Sequence, residues 1–142
     1  MALPLPFAGL VIHYAYLWHS QHQNGLEEGT KNRPCVVVLA ATREGGGIVV
    51  TVAPVTHSPP KEASEGVEIP VTTKDRLGLD DKRSWVVLTE VNRFRWPGFD
   101  LTKLPGQAGV YHYGVLPPGL FRQVRDGILA CARRERLKTT PR

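Results

Sequence analysis

Short apolar stretches alternate with glycine- and proline-rich breaks along most of the chain, and this rhythm predicts strands. Residues 10–18, LVIHYAYLW, follow Gly9 as an apolar and aromatic run. Large side chains at successive positions predict a strand buried on both faces. Two β-branched runs, 35–40 and 48–53, are joined by Gly45-Gly46-Gly47, which predicts a β-hairpin. Residues 67–72, VEIPVT, alternate as a short strand, with Pro70 calling for an edge position or a bulge because it has no N–H for a ladder. Residues 73–83 are polar around Leu77-Gly78-Leu79 and read as a turn or a short helical turn. WVVLT at 85–89 is a further buried strand, which 90–96 continues with Val91, Arg93 and Arg95 alternating against Asn92, Phe94 and Trp96. Residues 111–115 give a last short strand.

The period changes at Pro117-Pro118. Leu120, Val124 and Ile128 then fall on one stripe, with Phe121 and Leu129 beside it, which predicts an amphipathic helix to about Arg134. Residues 136–142 read as a frayed basic tail. The stretches 19–32, 58–66 and 99–110 are loops, and the first, at about fourteen residues, is long for a connection. No internal repeat or low-complexity segment is present. The expected fold class is all-β with a C-terminal helix. Five to seven short antiparallel strands form a small, partly open barrel with the helix over one opening. A parallel α/β sheet is not expected, because no helix is read between the strands.

Composition narrows this only a little. The 142 residues suit a single domain, with a core over about 9–132 and a basic tail over 133–142. Hydrophobic residues at 42% and charged residues at 22% are ordinary for a soluble globular chain, and no apolar run reaches membrane-helix length. The proline-broken start, MALPLPFAG, is a poor signal peptide, so a cytoplasmic location is expected. Cys35 and Cys131 fall in a predicted strand and the predicted helix, and are expected to be buried, reduced thiols. The net charge of +5 is localised. From residue 119 onward, seven Lys and Arg face two acids, while the rest of the chain balances at eleven against eleven. A basic end attracts polyanions but does not identify one.

Candidate chemistry collects at the outer ends of the hairpin. A hairpin brings its ends together, so Arg33 is expected near Thr56 and His57 at one rim of the sheet. His13, inside the first run, reads as a histidine satisfied beside the core. His19, His22, Glu27 and Glu28 share a polar loop without a cysteine or a fixed helical frame, so no metal and no cofactor is expected.

Read in order, the chain shows Gly9 and Val11, a polar loop with glycines, and Arg33-Pro34 before Val36-Val37-Val38. A glycine turn, Pro54-Val55-Thr56, Val86-Val87-Leu88-Thr89-Glu90 and Tyr113-Gly114-Val115-Leu116 before a final helix follow. In this order the motifs resemble the PemK/MazF family of toxins from bacterial toxin–antitoxin modules, over about residues 9–132. The resemblance implies an SH3-like barrel, a homodimer, and metal-independent endoribonuclease activity on single-stranded RNA, with an antitoxin occupying the RNA groove. It implies that Arg33 is the catalytic arginine and Thr56 the active-site threonine, and Glu90 falls where members carry an acid. Leu88 stands where some relatives have a basic residue. The loop 19–32 and Trp96-Pro97-Gly98 differ from the short members, which suggests a divergent subgroup.

Metal-free RNA cleavage needs a base for the 2′-hydroxyl proton, a cation for the phosphorane and an acid for the 5′-oxygen. An arginine fork suits the phosphorane because it gives two directed hydrogen bonds and keeps its charge. Arg33 is therefore either that cation or a partner of Glu27 or Glu28. Thr56 either donates to a phosphate oxygen or forms a turn after Pro54. His57 is a candidate base or acid, but strand alternation sends it to the face opposite Thr56 unless the chain turns. Glu90 is a candidate base or one half of a structural pair. Trp18, Trp96 and Tyr111 either stack on bases or pack, and Lys31 and Ser58 complete the candidate RNA contacts. A different class stays open: a non-catalytic barrel that binds a protein, like the gyrase poisons of the same fold through the C-terminal helix region, or a housekeeping relative.

Overall fold

A computed structural model describes residues 5–26, 31–98, 101–104 and 110–142. The expected succession of strands and then a C-terminal helix holds. Strand β1 (Leu10–Tyr14) is buried at all five positions and pairs antiparallel with β2 (Arg33–Thr42). β2 and β3 (Ile48–Thr56) form the predicted hairpin, longer than the apolar runs alone suggest. Its register runs from Cys35–Pro54 to Thr42–Ile48, with an irregularity between Val37 and Leu39. The turn needs its glycines, because Gly45, Gly46 and Gly47 sit at φ of 83°, 91° and 89°, which side chains resist. The turn closes as Arg43 N–H donates to the Gly47 carbonyl at 2.9 Å.

Among the described residues β3 has the most strand partners. β5 (Trp85–Val87) pairs with its last two residues, and β6 (Glu90–Arg95) pairs with residues 49–52. The expected continuous strand over 85–96 is therefore broken at Leu88 and Thr89. Leu88 turns inward, 2% exposed, and an added Cβ on Gly127 of the C-terminal helix would meet its Cδ1 at 2.5 Å. The break lets one stretch serve two successive parts of β3. β4 (Gly66–Glu68) joins β5, and β7 (His112–Val115) joins β1.

Alternation along β1 and β2 feeds two cores. Val11 and Val36 join Val55, Val86, Leu88 and Val91 beneath Leu120, Val124 and Ile128 of the helix Pro118–Arg133. Leu10, Ile12, Cys35 and Val37 join Tyr14, Tyr16, Val50, Val52 and Phe94 on the other face. This is why both strands read as unbroken apolar runs. Both cysteines are free and buried, and burial pushes both thiols up, consistent with inert core packing. His13 is satisfied by the Lys103 carbonyl at 2.8 Å and Thr102 Oγ1 at 3.1 Å. No helix among the described residues is long and apolar enough to cross a membrane.

Three further expectations are corrected. The loop 19–32 contains a short helix, α1 (His19–Gln23), whose first N–H donates to the Glu90 carboxylate at 3.0 Å. That partner comes from a strand far along the chain, and the local support is a single side chain, Gln21, whose Oε1 accepts from Trp18 N–H at 3.1 Å. The strand expected over 67–72 stops at Glu68, and Pro70 stands just before helix α2 (Val71–Leu77), where a missing N–H costs no hydrogen bond. Gly78, at φ 72°, ends α2.

The expected frayed tail is strand β8 (Lys138–Pro141), parallel to β6, which also departs from the all-antiparallel expectation. Lys138 N–H donates to the Thr89 carbonyl at 3.0 Å and Arg142 N–H to the Arg93 carbonyl at 2.8 Å, with Thr140 1% exposed. Charge hides a β-branched Thr139-Thr140 pair that β6 captures. Ending the chain after Leu137 is expected to lower the calorimetric melting temperature by about 5 °C or more, since several backbone bonds of about 1 kcal/mol each are lost. An unchanged melt contradicts the strand.

Candidate functional site

The site grows out of the hairpin ends. Extending the Cys35–Pro54 register by two residues sets Arg33 opposite Thr56. Arg33 Nη1 donates to the Val55 carbonyl at 3.4 Å, and its guanidinium lies 4.9 Å over the ring of Trp18. Its Nε is buried and has no acceptor among the described residues. Glu27 and Glu28, the acids suggested as its structural partners, lie outside the described residues. Burial pulls the guanidinium below its ordinary range, while the Cys35 and Tyr16 neighbours act the other way. A partly desolvated cation with one weak carbonyl contact and an aromatic face is arranged to receive an anion.

β3 ends at Thr56, and the chain bends at His57 and Ser58. Ser58 N–H donates to Thr56 Oγ1 at 3.2 Å, so the threonine does form a turn. That bond uses the oxygen as acceptor and leaves the O–H free to donate. The bend also removes the alternation problem, because Thr56 and His57 both line one groove of about 710 Å³ with Arg33 and Lys31. The volume is of the size that holds a small ligand, ~300–1,000 Å³.

The opposite wall comes from α2 and the residues after it, and from β7. His57 Nε2 donates to Asp80 Oδ2 at 2.7 Å. Asp80 Oδ1 accepts from Lys74 Nζ at 2.7 Å. Burial pushes the Asp80 carboxyl up, but the hydrogen bonds from Lys74 and His57 outweigh it and hold it below the ordinary range. Burial, followed by weaker electrostatic contributions that include the Asp80 charge, pushes the Tyr113 phenol up to about 12, so it lines the wall as a neutral hydroxyl. Tyr113 belongs to the motif before the final helix, which assigns it no role, and Asp80 and Lys74 carry no pattern in the sequence; a carboxylate six residues after a lysine becomes legible only when Gly78 folds the chain back.

The other candidates lie apart from this groove. Glu90 is not in its lining and accepts from the Tyr16 hydroxyl at 3.1 Å and His19 N–H at 3.0 Å. The Tyr16 phenol is pushed far up by burial and then by the Glu90 charge. Tyr16 meets Trp18 edge-on at 5.1 Å, so Glu90 connects to Arg33 through two aromatic rings. Trp18 is half-buried beneath Arg33. Trp96 stacks at 6.2 Å on Phe94, beside the second core. Ser58 borders a smaller depression of about 100 Å³, shared with Thr56, Trp85 and Thr89. The Tyr111 carbonyl accepts from His13 N–H at 3.0 Å. Among the described residues no three His, Cys, Asp or Glu side chains are grouped to hold a metal.

One groove thus presents a fixed cation, a free hydroxyl donor and an oriented imidazole, a set suited to a phosphate diester. A family model described as PemK-like, MazF-like toxin of type II toxin–antitoxin system matches residues 16–96, more than half of the chain and the stretch that carries Arg33, Thr56, His57 and Asp80. No curated protein matches.

Proposed function

Because the chain belongs to the PemK-like, MazF-like toxins of type II toxin–antitoxin systems, we propose that it cleaves single-stranded RNA in this groove without a metal ion. The observation that carries the reading is the meeting of Arg33, Thr56 and His57 in one groove, with Arg33 Nε lacking any acceptor among the described residues. A phosphate diester in the groove is the anion that the other N–H donors of this guanidinium would meet.

In this reading the guanidinium holds the non-bridging oxygens as charge builds on phosphorus. The Thr56 hydroxyl donates to one of them. His57 takes the proton of the 2′-hydroxyl, and the 2′-oxygen attacks phosphorus. The bond to the 5′-oxygen breaks, and that oxygen leaves with a proton from solvent. The products are a 2′,3′-cyclic phosphate and a 5′-hydroxyl. Trp18 supports Arg33, and Glu90 fixes the segment that carries Trp18, without touching RNA. Lys31, exposed at the rim, draws in the backbone. Ser58 borders the path of a neighbouring nucleotide, and Trp96 has no place in the path.

Family membership implies an antitoxin partner. Its cognate antitoxin is proposed to fill the same groove, and the toxin to act in the cytoplasm as a homodimer. The test is a purified protein incubated with a panel of single-stranded RNAs in EDTA. Discrete cleavage that the chelator does not slow is expected; a broad panel left uncut contradicts the reading.

A further inference from the structure

We infer that Asp80, anchored by the buried Lys74, is a positioning residue that holds the His57 ring with its proton on Nε2 and leaves Nδ1 as the basic atom in the groove. The inference rests on the ribonuclease reading of the groove and adds two residues to it.

Lys74 is 3% exposed, an uncommon setting for an ammonium group. Its three N–H donors have three acceptors: Asp80 Oδ1 at 2.7 Å, Ser84 Oγ at 2.6 Å and the Lys82 carbonyl. Asp80 is the one carboxylate among them, and Lys82 N–H adds a bond to the same Oδ1 at 3.2 Å. The Asp80 side chain is 48% exposed, and an exposed ion pair ordinarily swings freely. Here it does not, because rotation would strand a buried cation. Leu79 N–H donates to the Lys74 carbonyl at 3.0 Å, which ties down the chain just before Asp80.

The carboxylate so fixed uses its other oxygen on His57 Nε2, at 2.7 Å. A carboxylate only accepts, so the shared proton belongs to Nε2. The lone pair therefore lies on Nδ1, and a proton taken there makes an imidazolium that Asp80 stabilises. The arrangement explains why a buried lysine stands behind the groove rather than in it: it touches no substrate and acts through Asp80.

The test combines nitrogen-15 NMR of the His57 ring with cleavage kinetics in wild type, Asp80→Asn, His57→Ala and the double variant. The expected result is an Nε2–H tautomer in wild type that Asp80→Asn converts to a mixture. With it, kcat falls roughly 10²-fold, the order of one acid–base contribution, while KM stays within about twofold. In the His57→Ala background Asp80→Asn changes kcat no further. An Nδ1–H ring in wild type, an unchanged tautomer in Asp80→Asn, or an additive loss in the double variant overturns the inference. Lys74→Met combined with Asp80→Asn removes both charges, and is expected to give the same mixed tautomer if the single variant does not fold. A wild type that cuts no RNA sinks the ribonuclease reading, and the ring measurement then still decides whether Asp80 fixes His57.

Discussion

Arg33→Ala is expected to lower RNA cleavage at least about 100-fold while costing the fold no more than about 1 kcal/mol, the scale of its contact with Trp18. Removing one preorganised donor to a charged transition state costs about 2.7–4 kcal/mol, or 10²–10³ in rate. The two halves of the expectation belong together. Arg33 makes one weak carbonyl bond at 3.4 Å and leaves a buried Nε unpaired among the described residues, so the folded state gains little from it. A residue placed for stability would show the opposite, a lower melting temperature with cleavage intact. Arg33→Lys is expected to lose most of the activity as well, because a point charge does not reproduce the planar fork over Trp18. Cleavage rates and calorimetric melts of the same preparations check both halves.

Asn92→Ala is expected to be the costliest exchange for stability. Asn92 is fully buried, accepts from Leu17 N–H at 2.9 Å and donates to the Leu17 carbonyl at 2.8 Å. Alanine leaves both buried backbone groups unpaired, at about 1–3 kcal/mol each. The melting temperature is expected to drop by about 10 °C. The effect reaches the groove, because β6 grips the segment before α1 twice: Asn92 holds Leu17, and Glu90 holds Tyr16 and His19. Trp18 lies between these anchors and carries the Arg33 guanidinium. Cleavage below the melting temperature is therefore expected to fall with stability. A melt within about 2 °C of wild type contradicts the role given to these bonds.

The hairpin was legible because three local signals agree: β-branched runs, a glycine turn that needs positive φ, and a proline at each end. The pairing of the two runs follows from them, but the one-residue irregularity between Val37 and Leu39, which no local signal announces, is what moves Arg33 from opposite His57 to opposite Thr56. The C-terminal helix was legible from a single stripe of Leu120, Val124 and Ile128. The free, buried cysteines and the satisfied His13 followed from their places in apolar runs. What stayed hidden depends on partners distant in the chain. α1 is capped by Glu90, 71 positions away. β8 exists because β6 offers an edge, and the three basic residues of 136–142, Arg136, Lys138 and Arg142, looked like solvated charge. The strand reading of 67–72 gave Pro70 the wrong neighbour, an edge rather than a helix start. His57 was set against Thr56 by alternation, and the bend closed by Ser58 N–H on Thr56 Oγ1 reverses that.

The corrected tail also changes how a protein-binding mode would be tested. Removing everything from Arg133 takes away a paired strand as well as the basic charge. Lost toxicity in such a truncation therefore reports on folding, and exchange of the exposed arginines is the cleaner comparison.

We propose, then, that this groove cuts RNA through the 2′-hydroxyl with Arg33 on the phosphate. The most direct measurement takes an RNA that the protein cleaves in EDTA and compares it with the same strand carrying one 2′-deoxy nucleotide on the 5′ side of the scissile bond, with the ends read by mass spectrometry. The expected result is 2′,3′-cyclic phosphate and 5′-hydroxyl ends from the first strand and no cut at that position in the second. Equal cleavage of both strands, or 5′-phosphate ends, would contradict the proposal.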